Sequence, residues 1–96
     1  MKWKASEWGA LVAVENKHDV ISSPKHYQGA HGMEVRDVQR NFVPHYQRYG
    51  GMVAYDVGNV IKYILRAPLK NGVEDLKKAR QYLDWMIEEV KDYEED

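Results

Sequence analysis

Apolar residues recur at helical spacing in the second half of the chain. Between residues 53 and 66 they are three or four positions apart, as on one face of a helix: Val57, Val60, Ile61 and Ile64. Pro68 ends this pattern, because proline has no backbone donor and biases Ala67 away from the helical conformation. The spacing therefore predicts a helix over residues 53–66.

A second apolar stripe follows the turn signal Asn71-Gly72. Its members are separated by steps of three and four, a heptad-like pattern: Leu76, Ala79, Leu83, Met86, Val90 and Tyr93. This stripe predicts a helix over residues 73–93. Because only six residues connect the two helices, we expect them to be antiparallel neighbours in a helical hairpin.

The first half of the chain is rich in turn residues and gives weaker patterns. Val35, Val38 and Phe42 predict one shorter helix, over residues 34–42, which Pro44 ends. The remainder of this half is expected to consist mostly of loops.

These elements define the expected fold class and domain organisation. Residues 1–23 are compatible with a strand, a short helix or an arm that packs on a partner, and we treat them as an N-terminal arm or extension. Residues 24–96 form a mainly α-helical domain with the hairpin as its core. Three Trp and seven Tyr in 96 residues provide more apolar surface than one hairpin hides, so we expect a homo-oligomer.

Composition and charge exclude several classes of protein. The chain has 14 Lys and Arg against 15 Asp and Glu, a net charge of −1, whereas proteins that coat duplex nucleic acid usually carry a basic excess. It has no cysteine, which excludes disulfides, thiolate nucleophiles and cysteine-based zinc sites. The apolar run Ala10–Val14 is too short for a signal peptide or a membrane span, so we expect no membrane partner and a location in the cytoplasm.

The usual nucleotide and metal motifs are absent. The sequence contains no G-x-x-x-x-G-K-[ST] phosphate loop, no G-x-G-x-x-G and no H-E-x-x-H. Its four histidines, at 18, 26, 31 and 45, are irregularly spaced, which makes a tight zinc site unexpected. We predict no protein-bound structural metal.

A polar stripe runs along the first long helix, opposite its apolar face, at positions i, i+3, i+4 and i+7: Asn59, Lys62, Tyr63 and Arg66. In a hairpin, Lys70, Asp75 and Lys78 lie at the same end as Arg66. Three cations against one anion favour an anionic ligand, because Arg suits bidentate contact with phosphate and Lys supplies a point charge. On spacing alone, however, a solvated helix face explains these residues better than an anion-binding site does.

A loop near the start of the domain has similar chemistry. Lys25, His26 and Tyr27 combine a cation, a titratable ring and an aromatic face, which together suit a phosphate and a stacked base. Loops with these residues are common, so the signal is weak by itself.

Taken together, several segments resemble one known family: Pro24-Lys-His-Tyr27, Met33-Glu-Val-Arg-Asp37, Gly58-Asn-Val-Ile-Lys-Tyr-Ile-Leu-Arg66, Lys70, Asp75-Leu-Lys-Lys-Ala79 and Tyr82-Leu83. It is a family of small phage-encoded proteins, usually described as a domain of unknown function. It includes the podophage kinase that phosphorylates deoxynucleoside monophosphates without a phosphate loop. The resemblance covers about residues 24 to 87.

The resemblance implies a phage protein in the host cytoplasm that binds a nucleotide and transfers a phosphoryl group to a deoxynucleoside monophosphate. Mg²⁺ is required only if the protein is catalytic. The expected catalytic residues are His26, as the proton-handling group, and Asp75, which would hold Mg²⁺ or orient the acceptor. The expected nucleotide-binding residues are Lys25, Tyr27, Asn59, Lys62, Tyr63, Arg66, Lys70 and Lys78. We expect Arg66→Ala to weaken binding and to leave the fold intact.

Two other functions remain open. A non-catalytic protein with the same cations would sequester a nucleotide signal of host defence. Nucleoside triphosphate pyrophosphohydrolases of the MazG type hold Mg²⁺ with E-x-x-E and E-x-x-D motifs, and Glu34-x-x-Asp37 and Glu89-x-x-Asp92 fit part of that pattern. No E-x-x-E motif accompanies them, and Glu34 and Asp37 are also typical of a helix start.

Overall fold

A computed structural model describes residues 23–95 of the protein. They form three α-helices, α1 (Val35–Phe42), α2 (Gly51–Arg66) and α3 (Val73–Glu95). Shorter 3₁₀ segments lie at Lys25–Tyr27, Val43–Tyr49 and Ala67–Leu69. These residues contain no strand, only an isolated bridge between Gln28 and Glu34. The mainly helical fold is confirmed, and the predicted arm lies outside the described residues except for Ser23.

The start of α1 is fixed by a reciprocal capping box. The backbone N–H of Glu34 donates to the Asp37 carboxylate at 3.0 Å, and the Glu34 side chain accepts from the backbone of Asp37. The Ser23 hydroxyl donates to Glu34 Oε2 at 2.7 Å. Both carboxylates therefore serve the local structure of the helix start.

The chain does not become irregular where Pro44 ends α1. Instead it continues as the 3₁₀ segment Val43–Tyr49. Proline is tolerated in the first turn of a helix, because the backbone N–H groups there form no hydrogen bond within the helix. Gly50 then adopts φ +105°, a conformation that L side chains rarely take, and α2 begins at the next residue.

The core lies where α2, α3 and the 3₁₀ segment Val43–Tyr49 meet. Val53, Val57 and Met86 are buried at its centre. Partly buried residues surround them: Val43, Tyr46, Tyr49, Val60, Ile61 and Val90. No helix in residues 23–95 is long and apolar enough to cross a membrane.

The two apolar stripes are less buried than their periodicity suggests. On α3, Ala79 and Met86 are buried, but Leu76 and Leu83 are 49% and 41% exposed. Ile64 on α2 is 48% exposed. A domain of this size has little protein with which to cover both sides of a 23-residue helix, so part of each stripe remains at the surface.

Candidate functional site

Arg66, the last residue of α2, forms a buried ion pair with Asp75 in the first turn of α3. Its Nε donates to Asp75 Oδ2 and its Nη2 donates to Oδ1, both at 3.0 Å. The backbone and side chain of Asn71 donate to the same carboxylate at 3.3 Å. Hydrogen bonding from Arg66, reinforced by Asn71, lowers the pKa of Asp75 to about 2 despite its burial.

Arg66 also draws the first 3₁₀ segment onto the helices. Its Nη1 donates to the Tyr27 hydroxyl at 2.9 Å, across 39 positions of sequence. Its guanidinium carbon lies 4.8 Å from the centre of the Tyr63 ring. Because Arg66 is only 8% exposed, Arg66→Ala would leave the Asp75 carboxylate buried without its cation. This burial argues against the expectation that the substitution leaves the fold intact.

Tyr63 is the centre of a cluster of cations and rings. The Nζ atoms of Lys62 and Lys78 lie 4.4 Å and 5.4 Å from the centre of its ring. The Tyr82 ring stacks beside it, with centroids 5.9 Å apart and planes inclined by 18°. Within residues 23–95 neither lysine forms an ion pair, whereas Arg66 is neutralised by Asp75. This leaves two uncompensated positive charges beside an aromatic surface.

His26 lies on the Tyr27 side of this cluster. Its ring centroid is 4.3 Å from that of Tyr27. Burial and the positive charges of Lys70 and Arg66 lower the pKa of His26 below its usual value of 6.5. At neutral pH the imidazole is therefore neutral and can accept a proton.

The structure thus brings together eight of the ten predicted site residues: His26, Tyr27, Lys62, Tyr63, Arg66, Lys70, Asp75 and Lys78. Asn59 lies one turn before Tyr63, and its side-chain amide donates to the Tyr55 carbonyl at 3.1 Å. Lys25 is exposed, and within residues 23–95 its side chain forms no hydrogen bond or ion pair with the cluster. The roles of all ten residues stay predictions.

A groove of about 520 Å³ lies next to the cluster, between α1 and α2. The residues along it are Arg36, Gln39, Arg40, Val43, Pro44, Ala54, Tyr55, Gly58, Asn59 and Lys62. A smaller cavity of about 270 Å³ shares Arg36, Gln39 and Lys62 with it and extends to Tyr27. Arg36 and Arg40 have no role among the residues predicted from the sequence, although their i, i+4 spacing places two cations on one side of α1.

Asp75, the residue expected to hold Mg²⁺ in a catalytic protein, is already engaged by other partners in the described residues. No group of three His, Asp or Glu side chains in residues 23–95 is arranged to hold a metal ion. Asp75 is completely buried, and both of its oxygens accept hydrogen bonds from Arg66 and Asn71. To bind a cation, it would have to release its arginine.

Fold and site together define a small helical protein that carries a cationic, tyrosine-rich surface. A family described as a protein of unknown function, DUF3310, matches residues 21–84, two thirds of the chain. The chain belongs to this family, and every residue of the cluster lies within the matched region. No curated protein and no solved structure matches the chain.

Proposed function

We propose that this protein binds a nucleotide, with phosphates against Lys62 and Lys78 and the base against Tyr63 or Tyr27. The observation that carries the proposal is the pair of lysines beside the Tyr63 ring, neither of which is compensated by a carboxylate within residues 23–95. Both amines approach the same ring, so one polyphosphate chain can reach both. Both tyrosines are partly exposed, and stacking on an aromatic ring contributes about 1–3 kcal/mol per base, whichever base it is.

In this proposal Arg66 and Asp75 position the site rather than bind the ligand. Their ion pair holds the end of α2 against the start of α3, which places Lys62 and Lys78 around Tyr63. We also propose that α2 and α3 form an antiparallel hairpin. Two pairs of residues support this arrangement: Arg66 and Asp75 at the connection between the helices, and Val53 and Met86, which are buried in the same core cluster further from that connection.

The reaction we propose is transfer of the γ-phosphoryl group of a nucleoside triphosphate to a phosphate oxygen of a deoxynucleoside monophosphate, which yields two diphosphates. The resemblance to the family of small phage-encoded proteins that includes a podophage kinase supports this choice. In phosphoryl transfer, positioning and electrostatic stabilisation dominate catalysis, and Lys62 and Lys78 would offset the charge on the transferring group. In this proposal neutral His26, on the Tyr27 side of the cluster, is the proton acceptor.

A second candidate function is sequestration of a nucleotide without chemistry. It is favoured by the engagement of both Asp75 oxygens, because binding then needs the lysines and tyrosines but no metal-binding carboxylate. Pyrophosphate hydrolysis has less support, since Glu34 and Asp37 serve the capping box of α1.

One experiment separates these functions. The protein is incubated with Mg²⁺, ATP and each deoxynucleoside monophosphate, and the nucleotides are resolved by chromatography. Diphosphates that form with the wild type and with Lys77→Gln, but not with Lys78→Gln, support the kinase. Lys77 is the matched control, an exposed neighbour on α3 without a contact to Tyr63. Nucleotides that bind but are recovered unchanged support sequestration, and a protein that binds none contradicts both.

We also propose that the protein is a homo-oligomer assembled through the exposed apolar side of α3. Leu76, Leu83 and Ile87 are 41–51% exposed along this helix. A shallow cavity of about 430 Å³ lies beside Leu83 and Ile87, lined also by Tyr46 and Val90. A second copy of the same stripe would bury these side chains.

A further inference from the structure

The groove between α1 and α2 has a charge that its own residues do not balance. Arg36 and Arg40 reach it from α1, and Lys62 reaches it from α2. Asp37 is the only acidic partner of these cations in the described chain, 3.4 Å from Arg40 in a solvent-exposed pair. Like charges at i, i+4 oppose helix formation, so Arg36 and Arg40 disfavour the helix that carries them. A bound anion would remove this cost.

The other side of the groove is mostly apolar. Val43 and Pro44 form one end, and the Tyr55 side chain is 56% exposed. Gly58 forms part of the floor, and a Cβ atom added there would lie 3.8 Å from Val43 Cγ2. A volume of about 520 Å³ lies within the range of small-molecule sites. The groove thus offers a surface for a planar ring next to cations for a phosphate.

The floor is held in place by a contact between the two helices. Gln39 Nε2 donates to the Gly58 carbonyl at 2.8 Å, which fixes α1 against α2 along the groove. Groove and cluster meet at Lys62, which lines the groove and also approaches the Tyr63 ring. A ligand in the groove would therefore place its phosphate close to phosphates bound at the cluster.

We infer that this groove is a second ligand subsite, which takes a nucleoside monophosphate. Its phosphate lies against Arg36 and Arg40, and its base lies over Tyr55. The identity of the ligand as a nucleotide rests on the proposed function, but the presence of an anion site does not. Two neighbouring subsites are what a transfer between two nucleotides requires.

The test is calorimetric titration of the full chain, without Mg²⁺, with each deoxynucleoside monophosphate and separately with ATP. The double variant Arg36→Gln/Arg40→Gln should bind monophosphate about tenfold or more weakly, because each charge-assisted contact is substantial. ATP binding should change by less than about twofold. Arg48→Gln/Arg80→Gln is the matched control, since it removes two exposed arginines outside the groove.

A second pair of variants tests the shape of the groove rather than its charge. Gly58→Leu would fill the floor and should abolish monophosphate binding. Gly58→Ala adds only a methyl group in ordinary contact with Val43 and should retain binding. Thermal unfolding of each variant shows whether it folds. If Gly58→Leu does not fold, the monophosphate affinity of Arg36→Gln/Arg40→Gln alone tests the subsite.

The outcomes distinguish this inference from the proposed function. If the wild type binds monophosphate and the arginine double variant binds it equally well, the groove is not the subsite. If the wild type binds ATP but no monophosphate, the subsite is likewise overturned, while nucleotide binding stands. If no nucleotide binds, the proposed function fails, and titration with inorganic pyrophosphate then tests whether the groove binds anions at all. Pyrophosphate binding that is lost in Arg36→Gln/Arg40→Gln supports an anion site in the groove. If the wild type does not bind pyrophosphate, the anion site is overturned.

Discussion

Arg66 and Asp75 are joined by two parallel hydrogen bonds of 3.0 Å and are almost completely excluded from solvent. The pair closes the connection between α2 and α3. Through Tyr27 it also fixes the first 3₁₀ segment, so three separate parts of the chain depend on one guanidinium. Removing one partner of a buried ion pair with good geometry is costly, because the charge that remains is buried with neither its partner nor water to stabilise it.

Arg66→Ala should therefore destabilise the fold. We expect the free energy of unfolding to fall by about 3 to 5 kcal/mol, the usual range for removing one partner of a buried pair. Urea denaturation followed by circular dichroism measures the change. Arg80→Ala, an exposed arginine on α3, is the control and should have little effect. Equal stability of the two variants would show that the pair is not formed in solution.

The same pair predicts a dependence of stability on pH. Its hydrogen bonds hold the pKa of Asp75 at about 2 in the folded state, against 3.8 for the ordinary carboxyl group. A lowered folded pKa contributes stability that is complete above about pH 4 and is lost as the pH falls toward 2. Titration of the Asp75 carboxyl carbon by NMR checks this directly. A midpoint near 3.8 would contradict the geometry.

The sequence predicted the helices well because their signals are local. Periodic apolar residues and the breaks at Pro44 and Pro68 locate α1, α2 and α3 to within about two residues at each end. The short connection also brought Arg66 and Asp75 to the same end of the helices. Their burial was not predicted, because it depends on tertiary packing such as the contact between Arg66 and Tyr27, 39 positions away in the sequence.

The groove between α1 and α2 was not predicted from the sequence, for a similar reason. Arg36 and Arg40 have an ordinary spacing for a solvated helix face. Only the packing of α1 on α2, through Gln39 and the Gly58 carbonyl, places them next to Lys62. A pattern within one helix cannot indicate which neighbouring helix completes a groove.

Asp56 offers a test of stability that is independent of the candidate site. It is 2% exposed, and burial together with the nearby Glu89 raises the pKa of its carboxyl group. The charged form is therefore disfavoured in the fold, and its cost to stability appears as the pH rises through the raised pKa. Asp56→Asn should raise the Tm at neutral pH, with a smaller gain in acid.

The control for this prediction is Asp84→Asn, an exposed aspartate on α3 that should leave the Tm unchanged at both pH values. Thermal unfolding at neutral and acidic pH measures both variants. A lower Tm for Asp56→Asn at neutral pH would mean that the carboxylate is needed in its charged form.

The role proposed for Tyr63 depends on its aromatic ring and not on its hydroxyl group. Tyr63→Leu removes the surface that Lys62 and Lys78 approach and the stack with Tyr82. Loss of one base stack of about 1–3 kcal/mol should weaken ATP binding roughly 5- to 150-fold. Tyr63→Phe keeps the ring and should bind like the wild type. If the two variants bind ATP equally, the base does not stack on Tyr63.

The exposed stripe of α3 carries a charge pattern that favours one kind of oligomer. After the acidic first turn, a basic stretch lies in the first half of the helix at Lys77, Lys78 and Arg80, and the last two turns are acidic: Glu88, Glu89, Asp92, Glu94 and Glu95. Two copies packed antiparallel about the middle of the helix bring the basic stretch of one against acidic residues of the other, whereas parallel copies bring like charges together. An antiparallel, two-fold symmetric contact is therefore expected.

Leu83 would lie near the centre of such a contact, so Leu83→Lys should break it. It would place two lysines against each other in an apolar seam, and light scattering should show the mass of one chain, 11.2 kDa, at micromolar concentration. Met33→Lys, a matched substitution at a 61% exposed residue ahead of α1, should leave the mass unchanged. Raised salt should weaken the wild-type assembly, because the charge pairing is screened while the apolar contact is not. A wild-type mass of one chain would rule out the oligomer, and an oligomer that survives Leu83→Lys would place its contact on another surface.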